Sequence, residues 1–224
     1  MLPRASLDPR SFIQKNTRLQ PPPHVPEITL HLADEAMDLW TKTEEELDEL
    51  GLPPPFWAFA WAGGQALARY VLDNPAIVAD KRVLDFAAGS GLVAIAAMKA
   101  GAASAVASDI DRFAFSAISL NAEANNAAVG FEARDVTDPA FWPELADYDV
   151  VLAGDVFYEK PMAEKVFAFL KEAQAKGATV LFGDPGRSYL PKGGIEPLAT
   201  YEVAVTRALE DSEVKRTHVF RLTA

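Results

Sequence analysis

Cysteine is absent from the 224 residues. That absence removes disulfide scaffolds, thiolate metal sites and cysteine nucleophiles at once, and it suits a reducing compartment. Histidine is scarce. His24, His31 and His218 are the only three, and they are too scattered for metal-ligand spacing, so no metal is expected. Long apolar runs are missing as well. The longest, Phe56 to Val71, is broken by Gly63, Gly64, Gln65 and Arg69 and falls short of the ~20 residues of a spanning helix. The N-terminal MLPRASLDPRSFIQKNTRL lacks the apolar core of a secretory signal. It carries Arg4, Arg10, Lys15 and Arg18, but Asp8 and the lack of an amphipathic pattern weigh against a mitochondrial transit segment. A cytoplasmic protein with no membrane association is the expectation. Basic charge is in deficit too: 32 acids face 21 lysines and arginines, for a formal net charge of −11. Such a surface repels phosphate backbones, so nucleic acid is not an expected partner. A basic protein would be attracted to it.

What is present is ample apolar material. Half the residues are hydrophobic, enough for one well-buried domain of this length. Residues 1–55 read as an N-terminal extension. It ends its first part in Gln20-Pro21-Pro22-Pro23-His24-Val25-Pro26, where prolines fix φ and remove donors, so extended linker is expected there. A short apolar segment, Glu27 to Leu32, follows. Asp34 to Leu50 then has a helical pattern, with Gly51 and Pro53-Pro54-Pro55 as stops. The extension is expected to pack on the core and the substrate side.

From residue 56 to 224 the pattern alternates. Helical stretches are expected at Trp61–Asp73, Leu92–Ala100, Phe113–Asn125 and Met162–Ala175. Strands are expected at Val83–Phe86, Ala105–Ser108, Phe131–Ala133, Tyr148–Ala153 and Ala178–Phe182. Alternation of this kind specifies a doubly wound, Rossmann-like α/β fold with a mostly parallel sheet of seven strands. Thr200–Thr206 and Thr217–Leu222 complete it as a C-terminal antiparallel hairpin.

The densest chemistry lies in Val83-Leu84-Asp85-Phe86-Ala87-Ala88-Gly89-Ser90-Gly91-Leu92. A buried strand enters a turn of tiny residues and then a helix, so a ligand can lie against backbone at the carboxyl end of a strand, where open α/β sheets bind ligands. Gly89-x-Gly91-x-x-Ala94 formally matches a dinucleotide fingerprint. Asp85 sits badly with a pyrophosphate at that helix N-terminus. It suits S-adenosylmethionine, which carries a sulfonium and an amino group and no phosphate. Asp109, closing the next strand in Ser108-Asp109-Ile110-Asp111, can accept from ribose hydroxyls in either class. Asp135, beside Val136 after the third strand, is placed for an adenine amino group. Three acids at three strand ends serve no evident folding purpose.

A fourth strand runs into Gly154-Asp155-Val156-Phe157-Tyr158-Glu159. Alone, this reads equally as a polar loop, with Asp155 as a cap and Tyr158 as wall packing. Together, VLDFAAGSGL, SDID and GDVFYE resemble the seven-β-strand methyltransferases that modify protein lysines, whose D-x-x-Y signature is matched by Asp155 and Tyr158. NTRLQPPP (Asn16 to Pro23), PPPFWAFAWAGGQALARY (Pro53 to Tyr70) and GDPGRSYLP (Gly183 to Pro191) are similar to the branch acting on the electron transfer flavoprotein β-subunit. The resemblance covers nearly the whole chain. It implies S-adenosylmethionine as cofactor and an exposed lysine of a protein, that β-subunit first, as acceptor. It implies a cofactor pocket walled by Trp61, with Gly63 nearby, and lined by Gly89, Asp109 and Gly154, and a catalytic pair in Asp155 and Tyr158. One departure stands out: Ala87 replaces the first glycine of the D-x-G-x-G-x-G pattern, which is tolerable where φ is negative.

Methyl transfer to nitrogen needs a neutral amine. Free lysine, with a pKa of ~10.4, offers roughly one neutral amine in a few thousand at pH 7, and a closed pocket raises that fraction. Asp155 and Tyr158 are expected to orient the amine. Arg187 and Tyr189 sit where acceptor specificity could be set. The run Glu44, Glu45, Glu46, Asp48 and Glu49 reads as a solvated helix face or a dock for a basic partner. Competing readings are a small-molecule (nicotinamide-type) N-methyltransferase, a nicotinamide-dependent oxidoreductase and a non-catalytic adenosine binder. Asp85 argues against the oxidoreductase; the presence of Asp155 and Tyr158 argues against the mere binder.

Overall fold

A computed structural model describes residues 8–33, 54–206 and 212–223. The helix expected over Asp34–Leu50 and the acidic run within it lie outside these residues.

The N-terminal segment is not the linker that its prolines suggest. Pro9–Asn16 form helix α1. Asp8 caps it, accepting from the Ser11 N–H at 3.0 Å, and Pro9 stands at the first helical position, where its missing N–H costs nothing. Arg18–Gln20 (β1) then pair antiparallel with Leu30–Leu32 (β2). Between them, Val25 and Ile28 are fully buried. The proline run is therefore a packed crossing: apolar side chains spaced along a rigid backbone reach the core. Phe12 meets Phe113 edge-on at 5.5 Å, fastening the segment to the main body.

The main sheet is built from β3 (Arg82–Phe86), β4 (Ser104–Ser108), β5 (Val129–Glu132), β6 (Val150–Gly154), β7 (Thr179–Asp184), β8 (Ile195–Ala204) and β9 (Val214–Leu222). Its order is β5-β4-β3-β6-β7-β9-β8. The first five strands are mutually parallel, and β9 and β8 close the edge antiparallel. The hairpin is longer than its sequence indicates, because Ile195 to Pro197 continue β8 across an irregularity at Pro197/Ala199; a proline is tolerated at such an edge. The remaining helices are α2 (Ala62–Asp73), α3 (Leu92–Lys99), α4 (Arg112–Ala124) and α5 (Lys160–Ala175).

Side chains alternate across the sheet with the strand period of two. Val83, Val150, Leu152 and Leu181 join one core with α2, α3, α4 and the N-terminal segment. Leu84, Val151, Ala153, Val180 and Phe182 join a second core with Val166, Phe169 and Leu170 of α5. Both faces of the sheet are thus covered, as parallel strands require. The strands carry near-continuous apolar runs for that reason. The order reverses at β3, where β4 lies on one side and β6 on the other, so a crevice opens at their carboxyl ends.

Candidate active site

The crevice is a cavity of about 690 Å³. Of the residues singled out in the sequence, it is lined by Trp61, Asp85, Ala87, Gly89, Asp109, Asp135, Val136, Gly154, Asp155 and Tyr158. Gly63 and Gly91 do not line it; both are packing glycines beside it.

The cofactor side is the β3–α3 turn. Gly91 is the N-cap of α3, at φ 78, and a Cβ there would press on the Ile118 side chain at 3.1 Å. With no side chain at the cap, Asp85 does the capping from the preceding strand: its Oδ2 accepts the Ala94 N–H at 2.9 Å. Asp85 is buried, and burial pushes its carboxyl up to about 8, aided by the nearby Asp109 charge and opposed by the bond from Ala94. Among the described residues no lysine, arginine or histidine bonds this carboxylate. A buried acid with no cation of its own, at the wall of an adenosine-sized cavity, fits the amino-acid end of S-adenosylmethionine.

Asp109 is held by the turn it faces. Its Oδ2 accepts the Gly89 N–H at 2.9 Å and its Oδ1 the Asp111 N–H at 3.0 Å. Burial raises its pKa against these bonds. Both oxygens retain a lone pair for a ribose hydroxyl. Asp135 is exposed and closes a turn onto the Thr137 N–H and hydroxyl, at 2.9 and 2.6 Å, while Val136 is buried beside it.

Ala87 sits at φ 51. The condition on which an alanine was acceptable in place of glycine, a negative φ, does not hold. The alanine occupies the left-handed region, at a cost of about 1 kcal/mol, within the cavity wall itself.

The opposite side is the end of β6. Gly154 has no room for a Cβ, which would lie 2.7 Å from the Gly64 Cα, and one on Gly63 would lie 2.4 Å from the Gly183 oxygen and 2.7 Å from the Asp155 nitrogen. These glycines let the start of α2 rest directly on the ends of β6 and β7. Trp61 is the N-cap of α2 but caps nothing with its side chain. Asp155 does so instead, accepting the Gly63 N–H on Oδ2 at 3.0 Å. Its own backbone is left-handed, at φ 62. Its Oδ1 meets Arg187 Nε at 2.5 Å. The sequence did not disclose this pairing, since Arg187 lies 32 residues further along the chain.

Aromatic rings frame the opening above Asp155. Phe56 stands 5.9 Å from Trp61 and 5.8 Å from Tyr158, and the Arg187 guanidinium lies 6.0 Å from the Trp61 ring centre. Tyr158 is 42% exposed, so its hydroxyl remains reachable, and partial burial raises its pKa. Phe56 was missed as a site residue, since an aromatic after prolines carries no chemical signal of its own. Asp184 was missed as well, although the rule that found the other acids, a carboxylate at a strand's end, finds it too. It is fully buried, accepts the Gly186 and Arg187 N–H groups at 2.6 and 2.7 Å, and is pushed up to about 6 by burial.

The chain is similar to known proteins. Residues 65–179, from α2 to the start of β7, match the family model of ribosomal protein L11 methyltransferase (PrmA). The electron transfer flavoprotein beta subunit lysine methyltransferase of Xenopus laevis is 38% identical over 202 residues, covering 88% of this chain and 79% of that protein. Its counterpart from Danio rerio is 40% identical over 183 residues, covering 81% and 69%. Magnesium protoporphyrin IX methyltransferase (ChlM) from Synechocystis PCC 6803, solved with bound SAM, shares the fold at 16% identity and a TM-score of 0.50, over 85% of this chain and 100% of that one. The L11 family model spans about half of the chain, with Asp85, Asp109 and Asp155 inside it, whereas the lysine methyltransferases extend over more than four-fifths of the chain. This chain belongs to the electron transfer flavoprotein β-subunit lysine methyltransferase family and is an S-adenosylmethionine-dependent N-methyltransferase.

Proposed function

We propose that this enzyme methylates a lysine side chain of the electron transfer flavoprotein β-subunit, with Asp155 and Tyr158 presenting the amine. The observation that carries the reading is the division of one cavity between two buried acids. Asp85, on one wall, has no cationic partner among the described residues. Asp155, on the other, stands beneath an opening framed by Phe56, Trp61 and Tyr158. S-adenosylmethionine supplies an activated methyl group. With it bound, an amine held at Asp155 and Tyr158 would take that methyl group on its nitrogen lone pair, the electrons of the broken sulfur–carbon bond staying on sulfur, and the proton then on nitrogen would pass to water.

The protein's part is alignment and exclusion of water. Asp85, Asp109 and the Gly89 turn hold the cofactor. Asp135 and Val136 bound the adenine end. Trp61, Phe56 and Tyr158 shield the acceptor carbon chain, and that desolvation favours the neutral amine. Residues 1–55 form the extension and 56–224 the catalytic domain in this reading. The extension supports the opening, because Ala33 donates its N–H to the Ala58 oxygen at 2.9 Å, next to Phe56. The acidic surface favours a basic acceptor face. We place the reaction in the cytoplasm, which a chain without cysteine suits; among the described residues no helix is long and apolar enough to cross a membrane.

The test is transfer of labelled methyl from S-adenosylmethionine to proteins of an extract lacking this enzyme, followed by mass spectrometry of the labelled residue. Label on a β-subunit lysine is expected. Label confined to small molecules would move the function to metabolite methylation, and label on another protein would replace the acceptor alone.

A further inference from the structure

Arg187 is the one pocket-lining residue whose charge touches the acid assigned to the acceptor amine. It reaches Asp155 Oδ1 through Nε at 2.5 Å, and the pair is well sheltered, with side-chain exposures of 22% and 4%. The loop bringing it there is held at both ends. Asp184, the last residue of β7, accepts the Gly186 and Arg187 N–H groups, and the Tyr189 N–H bonds the Phe157 oxygen at 3.2 Å, which returns the loop to the segment carrying Asp155 and Tyr158. A guanidinium placed this deliberately beneath Trp61 is part of the site.

The chemistry of the acceptor gives it a task. A bare carboxylate binds an ammonium well and so raises the lysine pKa, the wrong direction for a nucleophile. The groups facing this point are Asp155, Tyr158 and Glu159 after β6, Asp184 and Arg187 after β7, Asp109 after β4, and His218, which lies opposite Asp184 in the β7–β9 register. From α2 come only Trp61 and the Gly63 backbone. Arg134 and Lys165 also line the cavity, but among the described residues Arg187 is the cation bonded to Asp155.

We propose that Arg187 is a positioning residue that offsets the charge of Asp155, so that the acceptor lysine rests against Asp155 as a neutral amine rather than as an ammonium. This rests on the reading of Asp155 given above. Nε donates to one lone pair of Oδ1. A carboxylate has about four such sites, and the α2 N-terminus takes a second, so the amine can share Asp155 without displacing Arg187.

The test compares kcat and KM across pH for the whole enzyme and for Arg187→Gln, Arg187→Met and Arg187→Lys. The acceptor is purified flavoprotein β-subunit or, if that is inert, the protein labelled in the extract screen. Removing the charge is expected to lower kcat about tenfold at neutral pH and to move the rising limb of kcat up by about one pH unit, with recovery at high pH. KM should stay level or fall, because the ammonium form then binds better. Calorimetric titration of the acceptor into enzyme loaded with S-adenosylhomocysteine should show binding at neutral pH as tight as wild type or tighter. Arg187→Lys should keep the position of the limb. Arg187→Met keeps the stem against Trp61 and serves if Arg187→Gln does not fold. A loss of equal size at every pH, an unchanged profile, or a raised KM with an unmoved limb would overturn the proposal. Asp155→Asn separates the two levels: full turnover in that variant overturns the assignment of Asp155 and this inference with it. An inactive Asp155→Asn beside a flat Arg187→Gln profile overturns this inference alone.

Discussion

The two walls of the cavity use one device in opposite ways. On the cofactor wall, Asp85 caps α3 through the Ala94 N–H because the N-cap, Gly91, has no side chain. On the acceptor wall, Asp155 caps α2 through the Gly63 N–H because Trp61 at the N-cap cannot. Each acid thereby joins a strand end to a helix start and gains a fixed orientation. They differ in what compensates the charge. Asp155 has Arg187 within the protein. Asp85 has no cationic partner among the described residues and is pushed up to about 8. An acid with an internal partner has its charge offset within the protein and presents its remaining lone pairs to a neutral group. An acid without one holds its proton until a cationic ligand arrives. On the proposed reading, the same residue type serves an amine nucleophile on one wall and a cationic cofactor on the other.

Breaking the acceptor wall should have the largest effect. Asp155→Asn is expected to lower turnover by about 100-fold or more while leaving cofactor affinity within a few-fold, as measured by single-turnover transfer and calorimetry. Breaking the cofactor wall should act on binding. The free protein keeps Asp85 protonated below about pH 8. A cationic ligand selects the carboxylate, so binding releases a proton and tightens as pH rises. S-adenosylhomocysteine affinity should therefore increase by about tenfold between roughly pH 6.5 and 8 and level off above that. Asp85→Asn should bind at least about tenfold more weakly at the top of that range, with the slope removed.

Two backbone substitutions sharpen the contrast with smaller effects. Gly63→Ala thrusts a Cβ against the Gly183 oxygen and the Asp155 nitrogen. It should cost about 1–3 kcal/mol in denaturant unfolding and lower turnover more than cofactor binding, since it displaces Asp155. Ala87→Gly relieves a left-handed alanine on the cofactor wall. It should add about 0.5–1 kcal/mol to stability, the strain removed exceeding the entropy gained by the unfolded chain, with turnover little changed.

These features differ in how far the sequence disclosed them. The sheet was readable because parallel strands buried on both faces leave near-continuous apolar runs, broken only by Asp85 in Val83–Phe86 and by Asp149 in Tyr148–Ala153. The acids were readable because each stands where a strand ends, and the same rule extends to Asp184. Asp8-Pro9 is itself a helix-start signal, an acid at the N-cap before a proline at the first helical position. The partners of Asp155 were not readable. Gly63 and Arg187 lie 92 and 32 residues away, and only the packing of α2 on two glycine-ended strands brings them together. The φ of Ala87 was equally hidden, because the residue type argued for the conformation it does not adopt.

The most direct single measurement is a paired one: S-adenosylmethionine affinity and single-turnover methyl transfer for the wild type, Asp85→Asn and Asp155→Asn. If the two walls have separate tasks, Asp85→Asn weakens binding and transfers at near wild-type rate once saturated, whereas Asp155→Asn binds normally and fails to transfer. Binding and transfer falling together in both variants, or transfer surviving in Asp155→Asn, would contradict that division.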